Sequence, residues 1–576
     1  MKPRITFLHT PKISWDQNYE GFYPPLWAYT LAAHVPTEWS VEIVDCTFQK
    51  IDNVGSSSVF AFSGKNQDID TILTAHGFLK SIFPSSIFII GGPITWSLEQ
   101  EGKLNLLQEF DSIFILDGEQ ALPDFLRKLS KSQTTHYESI VRPDRFPLAK
   151  SRPIRYDLFR PNVNNYYGAV IEVSRGCPFL CEFCDIRVLP GNNKSHNKPV
   201  ELIIEELDAY WRLGVTQFQF ACDNFIGDLT WARSCVDSLI EWKSRVKANI
   251  SIFTWLTINL YKAPDLMIKM REAGFSILMI GIESVNQNSL LETAKVQNRT
   301  KLLKSITTIQ SYGFIVAPGL IFGFDSDNEN MFRDTLKFLN DSGTISGAPS
   351  FLVALPGTPL YERMASTGRL INDSVESTTR NKISTNIRYL QDSNFLTKGY
   401  LDYINIFTHP NYQLELFTHH LELLSKNKNY INASYVGYGS PKEYLKVQIS
   451  NPVNRRFLLR RLMVFAWKFL IRNPSNLIAL FRGWLLLRRY SIHYSGLGLH
   501  FNYWVYVWAN IVVKHQDLKQ ADFHLDCVDE HFDYLSLVQD LPLKDKVNQD
   551  QGADQRKASH QVKFTNQALS KLAKGT

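Results

Sequence analysis

Three cysteines fall within eight residues of this chain, in Ser174-Arg-Gly-Cys-Pro-Phe-Leu-Cys-Glu-Phe-Cys-Asp185, at C-x3-C-x2-C spacing directly after the apolar run Ala169 to Val173. Thiols this dense at the mouth of a strand read as a metal site. Three thiolates, Cys177, Cys181 and Cys184, can ligate three irons of a cubane cluster, and with no fourth cysteine nearby one iron keeps an open, reactive position. A structural zinc site is the competing reading, but zinc closes four positions and is usually held by paired C-x2-C half-sites. Cys46, Cys222, Cys235 and Cys527 are scattered and read as plain buried thiols.

Composition sets the frame for that loop. A chain of 576 residues has room for about three to four units with cores of their own. A hydrophobic fraction of 44% and a charged fraction of 20% make it globular, and seven cysteines, three of them clustered, indicate a reducing cytoplasm rather than a disulfide scaffold. The N-terminus enters a short strand pattern with no apolar leader segment. No apolar run reaches the roughly 18 residues of a spanning helix, because Lys468, Arg472, Asn473 and Pro474 interrupt the best candidate.

The fold class expected is α/β. Residues 1–140 alternate helical patterns with the β-rich runs Arg4 to His9, Val41 to Asp45, Ser58 to Ser63, Ile87 to Gly91 and Ser112 to Leu116, which predicts a doubly wound, Rossmann-like parallel sheet. Ligands of such sheets bind beyond the carboxyl ends of the strands, here Ser63-Gly64, Gly91-Gly92-Pro93 and Asp117-Gly118-Glu119, where glycines would let backbone approach a bulky ligand. Residues 141–161, with Pro143, Pro147, Pro153 and Pro161, read as a linker. Residues 162–370 carry strand candidates Ala169 to Val173, Thr216 to Ala221, Ile252 to Thr257, Ile277 to Ile282, Ile315 to Ile321 and Pro349 to Ala354, a partial (βα)6 barrel whose site lies at the C-terminal strand ends. A mainly helical basic region over 371–540 and a disordered polar tail over 541–576 complete the expected organisation.

The cysteine loop resembles that of the radical S-adenosylmethionine (SAM) superfamily. That resemblance implies that the open iron chelates the amino and carboxylate groups of SAM, and that an electron from the [4Fe-4S] cluster cleaves the sulfonium to a 5'-deoxyadenosyl radical. It implies further that Phe183 lies against the adenine, that Asp223 and Asn224 face the SAM amino group, that Asn259 and Ser284 face its ribose or carboxylate, and that Gly281 to Glu283 face its adenine side. Pro24-Pro25-Leu26, Val44-Asp45, Gly91-Gly92-Pro93 with Thr95, and Asp117-Gly118-Glu119-Gln120 resemble, in that order, the cobalamin-binding domain joined to many such enzymes. Ser63, Gly64, Gly91, Gly92, Gly118 and Glu119 are then the expected cobalamin contacts. The chain has no Asp-x-His-x-x-Gly, and His76, followed by Gly77 but preceded by Thr74-Ala75, does not match that motif, so the lower cobalt face is not expected to take a histidine. From about Ile5 through Leu370 the chain is similar to the cobalamin-dependent radical SAM group that includes the hopanoid C-2 methylases, with Cys222-Asp223 where relatives carry two acidic residues before Asn-Phe.

Asn451 to Tyr490 holds Arg455, Arg456, Arg460, Arg461, Lys468, Arg472, Arg482, Arg488 and Arg489, interleaved with aromatics and free of Asp and Glu. Such a stretch suits peripheral contact with an anionic membrane, here on the inner face; the bland reading is a solvated basic rim. No recognised nucleic-acid module accompanies it, and nucleic acid is not expected as a partner. The function expected is C-methylation of an unactivated carbon of a small hydrophobic, lipid-like substrate, with a flavodoxin or ferredoxin as electron donor. By the family's mechanism one SAM methylates the cobalamin and a second supplies the radical. The alternatives are cobalamin radical SAM cyclisation or rearrangement without methyl transfer, and a non-catalytic iron-sulfur protein. No individual catalytic residue is singled out.

Overall fold

The computed structural model describes residues 2–11, 23–131, 138–295, 298, 301–371, 383–425, 469–471, 473–491, 497–515, 518–529 and 532. Its first sheet contains β1 (Arg4–His9), β2 (Ser40–Asp45), β3 (Val59–Ser63), β4 (Ile87–Gly91), β5 (Ser112–Phe114) and β6 (Ile140–Val141). The helices of this part are α1 (Leu26–His34), α2 (Ile69–Ile82), α3 (Pro93–Gln100) and α4 (Gly118–Lys131). The strands pair in parallel in the order β2-β1-β3-β4-β5-β6. Successive side chains of a strand leave on opposite faces, and both faces are apolar. Ile5, Phe7, Val59, Ala61 and Ile89 join one core with α1 and α4, whereas Leu8, Phe60, Phe62, Phe88 and Ile90 join another with α2 and α3. The sheet is therefore doubly wound, and its strand order reverses between β1 and β3, where ligand crevices form. The fifth strand is shorter than its apolar run because Leu116 turns into the left-handed region at φ 82°. The two-residue β6 carries no periodicity to betray it, and the sheet gains a sixth strand from it.

The second sheet uses β7 (Ala169–Glu172), β10 (Gln217–Ala221), β11 (Ser251–Leu256), β12 (Phe275–Glu283), β13 (Ile315–Phe322) and β14 (Ser350–Phe351), parallel and in chain order. Between β7 and β10 a small antiparallel pair forms from β8 (Ser174–Arg175) and β9 (His196–Asn197). The short helix α5 (Tyr156–Phe159) precedes the sheet, and the crossovers are α6 (Val200–Arg212), α7 (Leu229–Val246), α8 (Pro264–Ala273), α9 (Gln287–Glu292), α10 (Leu302–Ser311), α11 (Met331–Ser342) and α12 (Pro359–Ser366). Six parallel strands in sequential order make the open barrel expected. The last strand forms only two residues of the predicted Pro349 to Ala354. The Leu352 N–H still donates to the Phe322 carbonyl at 2.9 Å, but at Ala354 the backbone turns to a side chain: Asn386 Nδ2 donates to the Ala354 carbonyl at 2.7 Å and Asn386 Oδ1 accepts the Ala354 N–H at 2.9 Å.

The C-terminal region is mainly helical: α13 (Ser393–Thr408), α14 (Pro410–Ser425), α15 (Pro474–Ser491) and α16 (Leu497–His515). It also contains a pair no sequence pattern announced, β15 (Ile383–Tyr389) lying parallel to β16 (Phe523–Cys527). Trp504 and Trp508 are fully buried, and Trp504 stacks on Phe417 of α14 at 4.4 Å. Burial of such rings with their N–H groups satisfied is worth several kcal/mol each, and here Gln413 Oε1 and the Thr408 carbonyl each accept at 2.9 Å. Arg455, Arg456, Arg460, Arg461, Lys468, Arg472 and the tail 541–576 lie outside the described residues. No helix among the described residues is long and apolar enough to cross a membrane.

Candidate functional site

The β8–β9 pair, Ser174 with Asn197 and Arg175 with His196, clamps both ends of the loop that carries the three cysteines, beyond the C-terminal end of β7. Gly176 sits there at φ 87°, and a Cβ on it would lie 2.1 Å from the Lys194 carbonyl oxygen, so no other residue fits. The Cys177 N–H donates to the Asn192 carbonyl at 2.9 Å and the Glu182 N–H to the Thr293 carbonyl at 3.0 Å. Arg363 grips the Glu182 carboxylate through Nε at 2.8 Å and Nη2 at 3.0 Å and continues to Asp325, which Arg369 also holds at 2.7 and 3.0 Å. Fork-to-carboxylate bonds fix orientation as well as adding energy. The segment between the cysteines is thus tied to the barrel.

The thiols border one space. Asn224 Nδ2 meets Cys177 Sγ at 3.8 Å, and the Lys295 ammonium acts electrostatically on Cys181 and Cys184. Burial pushes the Cys177 thiol up and the Cys184 thiol to about 12, with Asp185 adding to the latter. Iron displaces such protons outright on coordination. Among the described residues no three His, Cys, Asp or Glu side chains converge tightly enough for a single ion. A donor set of three thiols beside a buried cation fits a cubane, which takes three thiolates and leaves one iron open, better than zinc, which closes four positions.

Several side chains predicted as contacts at the strand ends have partners within the chain. Asp223 Oδ2 accepts the Gly176 N–H at 2.6 Å, and burial raises its carboxyl above the usual range. Asn224 is fully buried, donating to Cys177 Sγ and accepting the Thr257 N–H at 3.3 Å. Both therefore support the cysteine loop. The Ser284 hydroxyl accepts the Asn286 N–H at 3.1 Å and closes a turn, while Asn259 stands half-buried on the 3-10 turn Ile258–Lys262.

The segment Gly281 to Glu283, expected on the adenine side of SAM, carries a buried ion pair at the end of β12. Glu283 adopts φ 65° and its Oε1 accepts from Lys295 Nζ at 2.6 Å. Gly281 makes room for the pair: a Cβ there would lie 2.2 Å from Glu283 Oε1 and 2.9 Å from Lys295 Nζ. The ammonium also stands 5.7 Å from the centre of the Phe183 ring. Burial alone would lower the Lys295 pKa, but Glu283 and Cys181 outweigh it and the net direction is upward. Sequence reading missed Lys295, since a lone lysine between two helices has no spacing signature; only the fold brings it beside the thiols.

In the first sheet, a cavity of about 330 Å³ lies at the ends of β1, β3 and β4, against Trp27, Leu31, Phe114, Glu119, Glu172 and Arg175. Gly91, Gly92, Gly118, Ser63 and Glu119 line it; Gly64 does not. The glycines chiefly let neighbours close up. A Cβ on Gly92, φ 87°, would lie 2.1 Å from Ser63 Oγ, one on Gly64 2.7 Å from Ile72, and one on Gly118 3.1 Å from Leu31, whereas Gly91 makes ordinary contact with Phe114 at 3.4 Å. The indole N–H of Trp27 is buried with no hydrogen-bond partner among the described residues. An apolar, aromatic wall with an orphaned donor fits one face of a broad ring system with hydrogen-bonding edges, and a corrin is such a ring. His76 is elsewhere, in the core against Phe88 and Phe110 at 4.9 and 4.4 Å.

Arg175, two residues before the first cysteine, joins cavity and loop. Its guanidinium reaches Glu119 at 2.5 Å, Glu172 at 2.7 and 3.0 Å and Asp117 at 3.3 Å. Burial raises the Glu119 carboxyl; at Glu172 burial acts in the same sense, but Arg175 outweighs it and the net direction is down. Replacing Arg175 by Gln takes the cation from Glu119 and Glu172, while Asp117 keeps Arg145 at 3.0 Å, and should cost about 3–5 kcal/mol, lowering the thermal midpoint of the anaerobic protein by roughly 3–4 °C in a circular-dichroism melt. Arg175→Lys should recover only part, since a point charge cannot span three partners.

Residues 171–339 match the Radical SAM superfamily. The chain is 30% identical over 379 residues to the hopanoid C-2 methylase of Rhodopseudomonas palustris, an alignment covering 64% of this chain and 69% of the relative. It is 28% identical over 475 residues, 80% of this chain and 81% of the relative, to an uncharacterised methyltransferase of Synechocystis. In three dimensions it is similar to the cobalamin-dependent S-adenosylmethionine radical enzyme OxsB, solved with aqua-cobalamin and S-adenosylmethionine bound, at a TM-score of 0.57 and 14% identity over 93% of this chain and 83% of that one. With its three-cysteine loop, sequential parallel barrel and preceding doubly wound sheet, the chain belongs to the cobalamin-binding radical SAM enzymes, in the family that includes the hopanoid C-2 methylases.

Proposed function

We propose that this enzyme is a cobalamin-dependent C-methyltransferase that methylates an unactivated carbon of a hydrophobic, ring-bearing substrate, with SAM and a [4Fe-4S] cluster as its other cofactors and a low-potential carrier such as a flavodoxin or ferredoxin as electron source. One observation carries the reading: Arg175 lines the cavity that suits a corrin and stands two residues from Cys177, so the two candidate cofactor sites share a wall. The apolar substrate is supported by the hopanoid methylase relative, and the same reading includes work at a membrane surface. When bound, the cofactors supply a carbon-centred radical and a carrier for the methyl group.

The chain's own part is to hold and orient. Cys177, Cys181 and Cys184 are the three iron ligands. Asn224 Nδ2 donates to the Cys177 sulfur and stabilises it as a thiolate. The Glu283–Lys295 pair sets a cation beside the ring of Phe183, suited to an anionic group of a ligand stacked there. Glu119, Glu172 and Asp117 keep Arg175 from swinging into the cavity.

Incubated anaerobically with reductant and a polycyclic lipid, the protein should yield S-adenosylhomocysteine, 5'-deoxyadenosine and a product one methyl heavier, read by mass spectrometry. Formation of 5'-deoxyadenosine with a rearranged but unmethylated product would sink methyl transfer. Gly281→Val should push the Glu283–Lys295 pair aside and weaken SAM binding at least tenfold in equilibrium dialysis, the loss of one buried charge-assisted contact, with iron content per chain unchanged.

A further inference from the structure

Fifteen large apolar side chains are exposed among the described residues, and six of them fall in Ile471 to Leu485. Along α15, Leu477, Ile478, Phe481, Trp484 and Leu485 are 57%, 58%, 58%, 41% and 47% exposed. Their spacing puts them on one stripe of the helix. The opposite face is seated: Asn476, Ala479 and Gly483 are buried, a Cβ on Gly483 would lie 2.7 Å from the Trp504 ring of α16, and Asn476 Nδ2 donates to the Phe469 carbonyl at 2.8 Å. The helix is therefore held by one side and presents an apolar stripe to water, a patch that ordinarily marks an interaction site.

Charge selects the partner. No Asp or Glu occurs between Glu443 and Asp517, and Arg482, Arg488 and Arg489 of α15 are exposed. The Arg488 guanidinium stands 5.0 Å from the centre of the Trp484 ring, and Phe481 stacks on that ring at 6.0 Å. Aromatic and aliphatic groups at the acyl boundary with arginines at headgroup level are the pattern of a helix lying in an anionic bilayer surface.

We propose that α15 is the docking helix of this enzyme, lying in the plane of an anionic bilayer with the Leu477 to Leu485 face inserted. The proposal rests on the reading that the substrate is apolar, and it names the surface by which the chain reaches it. The test is flotation of the full, anaerobically prepared chain with phosphatidylcholine vesicles, with and without phosphatidylglycerol. The protein should float with the anionic vesicles. Phe481→Ser with Trp484→Ser should lower that partitioning at least tenfold, with an unchanged circular-dichroism melt, as both side chains point outward. Arg482→Gln with Arg488→Gln and Arg489→Gln should lower it on the order of a hundredfold on anionic vesicles only. Failure of the unsubstituted protein to float, or equal flotation of the variants, overturns the proposal. So does self-association in buffer that the Phe481/Trp484 variant abolishes, which assigns the stripe to a second copy. Methyl transfer to a lipid in detergent separates the two readings: product without vesicle binding leaves the substrate class standing and removes the docking helix, and stripe-dependent vesicle binding without product does the reverse.

Discussion

One guanidinium with three carboxylates around it ties the end of the first sheet to the entrance of the cysteine loop. Arg175 belongs to the barrel, Glu119 and Asp117 to the end of the doubly wound sheet, and Glu172 to the last residue of β7. Removing charges from water is costly, and the cost is recovered only where geometry is good and every lone pair is engaged. That requirement fixes more than affinity between domains. Since Arg175 lies two residues before Cys177, any shift of the first sheet is felt by the first thiol of the loop.

The cysteine loop is held at a second place by the same kind of interaction. Arg363 links Glu182, between two of the cysteines, to Asp325 beyond β13, and Arg369 shares Asp325. Burial pushes the Asp325 carboxyl up, but the two arginines outweigh it and hold it near 2. The loop is therefore braced on both sides by buried ion pairs and leaves its thiols beside a third, Glu283 with Lys295. Each brace supplies orientation that a hydrophobic contact of equal area would not, because a bidentate fork admits one geometry.

Outside the barrel the physics changes from charge to apolar area. Trp504 and Trp508 seal α16 against α13 and α14, and α15 packs on α16 through Gly483. A helix that is apolar on both faces has more hydrophobic surface than the protein can cover, so the uncovered face of α15 is available to something else.

Much of the architecture was legible in the amino-acid sequence, because strand runs, strand-end turns and a C-x3-C-x2-C loop are local patterns with local causes. Parallel pairing, six barrel strands and the three thiols follow from periodicity and spacing alone. Partner choice does not. Asp223 and Asn224 bond to Gly176 and Cys177, Glu119 lines the cavity and pairs with Arg175, and Gly281 makes room for Glu283 and Lys295. Lys295 itself, the short β6 and the β15–β16 pair left no trace in the sequence, since their meaning lies in contacts between residues far apart in the chain. Sequence determines which groups are available at each strand end, and the tertiary structure decides which of them neutralise one another, because buried charges must pair with whatever the fold brings within reach.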